Sequence, residues 1–241
     1  MIEPGTTVLE IGPGPGTLTR VLVETGAKII AIEKDRRMIP QLQTGISQAR
    51  IVEGDALELD WHLLVGPESS DFVVVGNIPY NITSPLIHQA MRHPRPRRIV
   101  FLVQKEVGLR IVAAPGTKAY GALSVGVQSQ AKAERLFDVP AGAFRPPPKV
   151  DSTVVRITPY DTSPIPERHE ASFRRLVTAL FAARRKQLRR GLRQVTGWPV
   201  ERVEALLLSL GYDPTSRPED LSPQNFSDLF NRLVDLENSP G

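Results

Sequence analysis

Apolar and polar positions along the chain follow two different rhythms. Over the first 130 residues, short β-rich runs alternate with helical stretches, the arrangement of a parallel sheet wound with helices. Thr7–Ile11 predicts a first strand, followed by a glycine-proline loop and a helix from about Leu18. Lys28–Glu33, Arg50–Glu53, Phe72–Gly76 and Arg98–Gln104 predict four more strands, and their unbroken apolar character fits strands covered on both faces. Leu123–Gln130 and Ser152–Ile157 read as two later strands, separated by the proline-rich Phe144-Arg145-Pro146-Pro147-Pro148. Prolines then crowd Thr158–Pro166, the mark of a linker. Beyond it the period changes. Phe173, Leu176, Val177, Leu180, Phe181, Leu188 and Leu192 recur at helical spacing. A second helix is expected over Val200–Leu210, stopped by Gly211, and a third over Pro223–Leu236. The expectation is an α/β sheet domain over residues 1–160 and a small all-helical domain over 161–241.

Charge sharpens this division. The net charge of +4 is unevenly spread: residues 1–75 carry 6 basic and 11 acidic side chains, residues 76–159 carry 12 and 4, and residues 160–241 carry 12 and 11. Within the helical part, Arg174 to Arg193 holds eight basic residues and no acid. Such asymmetry suggests a face that meets a polyanion, although a basic surface kept for solubility reads the same way. The absence of cysteine excludes disulfides, thiolate nucleophiles and cysteine metal sites. The four histidines are scattered without acidic partners at ligand spacing, so no metal is expected. Runs such as Ile99–Val103 are too short to span a bilayer, and the first residues lack the basic start and apolar stretch of a signal peptide. The expected location is the cytoplasm, with no membrane partner and a monomer as the default.

Chemistry enters with the loop Glu10-Ile11-Gly12-Pro13-Gly14-Pro15-Gly16, between a strand and a helix. Glycines there let a ligand approach the backbone, and a nucleotide-like ligand belongs at the C-terminal end of a parallel strand. A dinucleotide fingerprint would need Gly or Ala at position 17, where Thr17 stands instead. The Gly-x-Gly-x-Gly spacing behind an acid is the methyltransferase variant. Glu33 ends the second strand, where a carboxylate can accept both ribose hydroxyls. Asp55, in Gly54-Asp55-Ala56 after the third strand, is placed for an adenine amino group. Either acid alone would read as a solvated loop carboxylate. Three such features at the ends of successive strands favour the cofactor reading.

Gly76-Asn77-Ile78-Pro79-Tyr80 follows the fourth strand directly and is the most specific signal in the chain. The exocyclic N6 of adenine is a poor nucleophile because its lone pair is delocalised into the ring. An Asn side-chain oxygen and a neighbouring backbone carbonyl can accept its two N–H bonds and aim that lone pair at an electrophilic methyl. Catalysis is then positioning and electrostatic stabilisation, without a general base for the attack. Tyr80 offers a π-face on which an extruded base can stack. The competing reading is a turn whose Asn caps a helix near Ser84-Pro85. Phe144 is a candidate for the opposite wall of a base pocket, or else a hydrophobic plug at the proline turn.

Together these residues resemble the KsgA-type ribosomal RNA adenine dimethyltransferases over nearly the whole chain. The match includes Glu10–Gly14, Glu33, Gly54–Ala56, Asn77–Ile82, Gln104–Val107 and Tyr120–Val125. It continues through Phe144–Ser152, Arg184–Arg189 and Leu221–Phe226. The resemblance implies a seven-stranded Rossmann-like methyltransferase sheet, S-adenosylmethionine as cofactor, and two methylations on each of two adjacent adenosines near the 3′ end of small-subunit rRNA. The partner would be the pre-30S particle. By the same match Gly12, Gly14, Glu33, Asp55, Ala56 and Asn77 would line the cofactor. Asn77 and Tyr80 would hold the target amine and base, Phe144 its other face, and Arg184, Arg185, Lys186, Arg189 and Arg190 would lie towards RNA.

Macrolide-resistance methyltransferases of large-subunit rRNA share the Asn-Ile-Pro-Tyr loop, and Gln104–Val107 with Tyr120–Val125 favours the small-subunit enzyme. An assembly factor that binds pre-ribosomal RNA without methylating it is the rival outside enzymology. Family members also carry a segment before the first strand that covers the cofactor, whereas this chain starts almost on that strand. Either the start was assigned too late, the chain was trimmed, or the protein lacks this lid; only in the last case are weaker cofactor binding and a wetter site expected.

Overall fold

A computed structural model describes residues 2–66 and 71–238. The chain forms β1 (Thr7–Ile11), α1 (Thr17–Glu24), β2 (Lys28–Glu33), α2 (Ile39–Gly45), β3 (Ala49–Glu53), α3 (Trp61–Val65), β4 (Phe72–Asn77), α4 (Thr83–Ala90) and β5 (Arg98–Gln104). Next come α5 (Lys105–Ile111), α6 (Ala122–Gln128), β6 (Ala131–Val139) and β7 (Ser152–Pro159). The helices α7 (Glu170–Ala182), α8 (Leu188–Thr196), α9 (Val200–Ser209) and α10 (Pro223–Asn238) complete it.

One seven-stranded sheet has the order β3-β2-β1-β4-β5-β7-β6. Strands β3, β2, β1, β4 and β5 are mutually parallel, and β7 runs antiparallel to β5. The apolar runs earn their place: Val8, Leu9, Ala31, Ile32 and Val74 are essentially inaccessible to solvent. Val8, Leu22, Ile29, Val73 and Val75 form one cluster of this core, joining α1 to the strands. All five parallel strands consequently deliver their C-terminal ends to a single sheet edge.

The chain divides into two compact units, one comprising residues up to Gly108 with Ala133–Pro159, the other Leu109–Lys132 with everything from Tyr160 onward. This division gathers 109–132 with the C-terminal helices, a segment that a boundary at 160/161 leaves with the sheet. Leu123–Gln130, read as a strand, is largely the helix α6, and the strand that follows it, β6, is hidden in the sequence by its mixed polar face. Two polar residues explain why α6 forms. Ser124 accepts the Gly121 N–H at 3.1 Å and donates to the Arg110 carbonyl, and Gln128 Nε2 donates to the carbonyls of Ile111 and Ala113 at 2.8 and 2.9 Å. These side chains satisfy helix-end groups that would otherwise be orphaned. The apolar side chains Tyr120 and Val125 then enter the core of the helical unit beside Phe173, Leu180, Leu207 and Phe226. The Tyr120 hydroxyl donates to the Leu221 carbonyl at 2.8 Å, tying 109–132 to the tail of the chain.

Candidate active site at the sheet edge

The glycine loop leaves β1 through three left-handed residues, Gly12, Gly14 and Gly16, with φ of 67°, 55° and 81°. Side chains other than glycine are strained there, so the turn is fixed by backbone freedom. A Cβ added at Gly14 would meet nothing within 4 Å, leaving its main chain open to a ligand. At Gly76 the constraint is contact: a Cβ would fall 2.6 Å from the Ile11 carbonyl and 2.9 Å from Ile78 Cδ1. This close approach seats the end of β4 against the end of β1. The Asn77 carbonyl lies 3.9 Å from where a Gly12 Cβ would stand, so the Asn77 turn and the glycine elbow are neighbours.

Each expected cofactor residue occupies that edge. Glu33 is buried, and its two oxygens accept the N–H groups of Gly14 (3.0 Å) and Asp35 (2.8 Å). The carboxylate thus shapes the elbow and keeps lone pairs available for hydroxyl donors. Asp55 Oδ1 accepts the Leu57 N–H at 2.9 Å, and Oδ2 receives Lys34 Nζ at 2.7 Å. Lys34 is the main reason the Asp55 carboxyl lies below its ordinary range, with the Leu57 N–H adding to the effect. Ala56 is buried, and its carbonyl accepts Trp61 Nε1 at 2.7 Å, pinning the loop behind Asp55.

In the Asn77 turn, Ile78 is the anchor. Its side chain is buried, and its N–H donates to the Leu102 carbonyl at 3.0 Å. Asn77 and Pro79 remain exposed on either side. The Pro79 carbonyl receives the Ile82 N–H at 3.2 Å and the Thr83 hydroxyl at 3.3 Å, which starts α4. The N-cap position of α4 is Ile82, five residues beyond Asn77, so Asn77 is not the residue that caps this helix. Tyr80 lies in a short 3-10 turn, Tyr80–Ile82, and its side chain falls outside the described residues. Phe144 is half-buried in the loop joining β6 to β7. Register brings that loop to the same edge: Asn77 pairs with Leu102, and Gln104, two residues on, pairs with Ser152.

In the sequence, Glu10 is marked only as the acid before the glycines. It sits inside β1 almost inaccessible to solvent, at 1% exposure. Burial pushes its carboxyl up to about 7. The Thr19 hydroxyl, close by without a well-formed hydrogen bond, draws it partly back, and the Glu33 carboxylate pushes it further up. A carboxylic acid within an otherwise apolar strand is the signal that could have marked it. Glu33 and Asp55 place two carboxylates beside an open glycine cradle. That set fits a cationic nucleoside without phosphates, such as S-adenosylmethionine, better than a pyrophosphate.

The basic stretch of the helical unit resolves into two groups. Arg184 forms an ion pair with Glu219 and donates to the carbonyls of Lys118 (3.2 Å) and Thr117 (3.3 Å). Arg189 pairs with Glu204 and donates to Gln187 Oε1 at 3.1 Å. Both charges are engaged within the unit. Arg185, Lys186 and Arg190 are exposed. Among the described residues no group of histidine and acid side chains could hold a metal, and no helix is long and apolar enough to cross a membrane.

The curated relatives include ribosomal RNA small subunit methyltransferase A of Thermosynechococcus vestitus, 44% identical over 98% of this chain and 89% of that protein. The Pseudomonas aeruginosa protein of the same name is 44% identical over 96% and 85%. Among solved structures, a dimethyladenosine transferase from Plasmodium falciparum is 28% identical with a TM-score of 0.81, covering 97% of this chain and 92% of that one. The 23S rRNA methyltransferase ErmE follows at 26% and 0.71, covering 97% and 93%. The model of the ribosomal RNA adenine dimethylase family matches residues 1–235. Matched along all but its last residues, the chain belongs to the ribosomal RNA adenine dimethylases, enzymes that take their methyl group from S-adenosylmethionine.

Proposed function

We propose that this chain dimethylates N6 of two adjacent adenosines near the 3′ end of small-subunit rRNA, acting in the cytoplasm as a monomer on the pre-30S particle late in its assembly. The observation that carries the reading is the seating of the Asn77 turn against the Gly12 elbow, with the Asn77 carbonyl 3.9 Å from a Gly12 Cβ position. The curated relatives named as small-subunit enzymes, at 44% identity, support the choice of subunit.

In this reading Gly12, Gly14, Glu33, Asp55, Ala56 and Asn77 line the cofactor pocket, with Glu33 on the ribose and Asp55 on the adenine amine. Bound S-adenosylmethionine supplies an electrophilic methyl on a positively charged sulfur. Asn77 Oδ1 and a carbonyl of the same turn accept the two N–H bonds of the target amine. The amine is held with its lone pair directed along the line of attack. As the methyl passes from sulfur to nitrogen, the S–C bond would break to leave a neutral thioether and the nitrogen would gain positive charge, which these oxygens stabilise before the proton passes to solvent. Tyr80 and Phe144 stack on the two faces of the extruded base. Arg185, Lys186 and Arg190 meet RNA phosphates, whereas Arg184 and Arg189 hold the helices that present them.

The test is incubation with radiolabelled S-adenosylmethionine and either small or large ribosomal subunits lacking the modification. Label entering the small subunit alone is expected. Transfer to the large subunit favours the macrolide-resistance type of activity, and no transfer to either favours a scaffold that binds RNA without chemistry.

A further inference from the structure

The loop that carries Phe144 is long, exposed and rich in proline, yet a wall for a flat base must stand at a defined place. The structure supplies a tie at its base. Asp151 Oδ1 accepts the Ala141 N–H at 3.1 Å. The main-chain carbonyl of the same residue accepts the Lys105 N–H at 3.0 Å, one rung beyond the Gln104–Ser152 pair of the β5–β7 ladder. Asp151 is therefore fastened to the end of β5 through its backbone and to the start of the Phe144 loop through its side chain. From Ala141 the chain makes a single 3-10 turn, Ala141–Ala143, and the Phe144 N–H closes it on the Ala141 carbonyl at 3.2 Å. The other strut of the loop is separate: Thr153 Oγ1 donates to the Phe137 carbonyl at 3.0 Å and Lys105 Nζ meets Asp138 at 2.8 Å, both fixing the end of β6.

We propose that Asp151 is a positioning residue for the base pocket, setting through Ala141 where the Phe144 ring stands relative to the Asn77 turn. The proposal rests on the reading of Phe144 as a base wall. What the loop needs from position 151 is an acceptor oxygen, not a charge. Asp151 is exposed, so its hydrogen bond matters to the loop more than to global stability.

The experiment compares Asp151→Ala, Asp151→Asn, Phe144→Ala and the Asp151→Ala/Phe144→Ala double variant on unmethylated small subunits, and follows amide exchange at Ala141. Asp151→Ala is expected to lower kcat/KM about three- to tenfold, the size of one lost net hydrogen bond. Its S-adenosylmethionine affinity should be unchanged and Ala141 exchange faster. Asp151→Asn keeps an acceptor and should restore both readouts. In the double variant, loss of Asp151 should add nothing to loss of Phe144. Wild-type activity in Asp151→Ala, equal impairment in Asp151→Asn, or full additivity in the double variant overturns the assignment. If Phe144→Ala alone is fully active, it is the base-wall reading that fails, and the assignment with it.

Discussion

The sheet edge and the helical unit are both rich in charged side chains, but they use them differently. At the edge, main-chain groups hold the carboxylates: Glu33 receives the N–H of Gly14 and of Asp35, and Asp55 receives that of Leu57 beside its ion pair with Lys34. Their positions follow from strand register, and the Glu33 oxygens keep lone pairs for further donors. In the helical unit, eight basic residues between Arg174 and Arg193 look like one binding surface in the sequence. Two of them, Arg184 and Arg189, are instead bound to Glu219 and Glu204. The strand end is thus a better guide to function than charge density, because strand ends converge in space whatever the intervening sequence. Charges along a helix diverge around its axis.

The comparison breaks most easily at Asn77. Asn77→Ala should lower turnover by about a hundred- to a thousandfold, the loss of one preorganised polar interaction with developing charge, while RNA affinity stays close to wild type and S-adenosylmethionine affinity falls far less than turnover. Single-turnover kinetics with parallel binding titrations decide it, and unchanged turnover removes Asn77 from the chemistry.

Glu10 gives the next effect, on stability. Its carboxyl is raised to about 7 in the folded chain, so the native state holds that proton more tightly than the unfolded state does. The resulting stability is fully present below pH 4.5 and is lost as pH rises through 7, by about 3 kcal/mol in total. Glu10→Gln should flatten this decline and leave the variant more stable than wild type at about pH 8 by denaturant titration. An unaltered pH profile would show that Glu10 ionises without cost.

Within the helical unit, Arg184→Ala should destabilise the fold by about 1–2 kcal/mol through removal of its ion pair and two carbonyl bonds, whereas Arg185→Ala should fall within about 0.5 kcal/mol of wild type. Equal melting temperatures for the two would erase the distinction between the groups. The smallest effect on folding belongs to Arg185→Glu with Arg190→Glu. The pair should weaken RNA binding and flatten its dependence on salt by about one unit of slope for each phosphate no longer neutralised, without touching cofactor affinity. An unchanged slope would make these residues an ordinary solvated surface.

Much of the fold is legible in the sequence, for identifiable reasons. Thr7–Ile11, Lys28–Glu33 and Arg98–Gln104 are predicted to the residue, because each is a largely apolar run bounded by loops; β1 and β2 are covered on both faces, whereas β5 alternates buried and half-buried positions. Glu33 and Asn77 can be placed because each closes an apolar strand; Asp55 follows β3, an outer strand with no fully buried residue, contrary to the expectation of a strand covered on both faces. The α6 segment misleads because Ser124 and Gln128, polar and half or fully buried, cap backbone groups of α5 and the turn after it. Nothing in local periodicity announces a partner so far along the chain. The missing β6 has the same origin: its exposed Leu136 and Phe137 break the alternation expected of a half-covered strand. Ion pairs such as Arg184–Glu219, 35 residues apart, lie beyond pattern reading altogether.

The most direct test of the Asn77 chemistry is a crystal structure of the protein with S-adenosylhomocysteine and adenosine. The N6 amine is expected within about 3 Å of Asn77 Oδ1, its remaining valence facing the sulfur above Gly12 and Gly14. An adenosine bound away from the Asn77 turn, or an S-adenosylhomocysteine lodged anywhere but at the Gly12–Gly16 elbow, would contradict it.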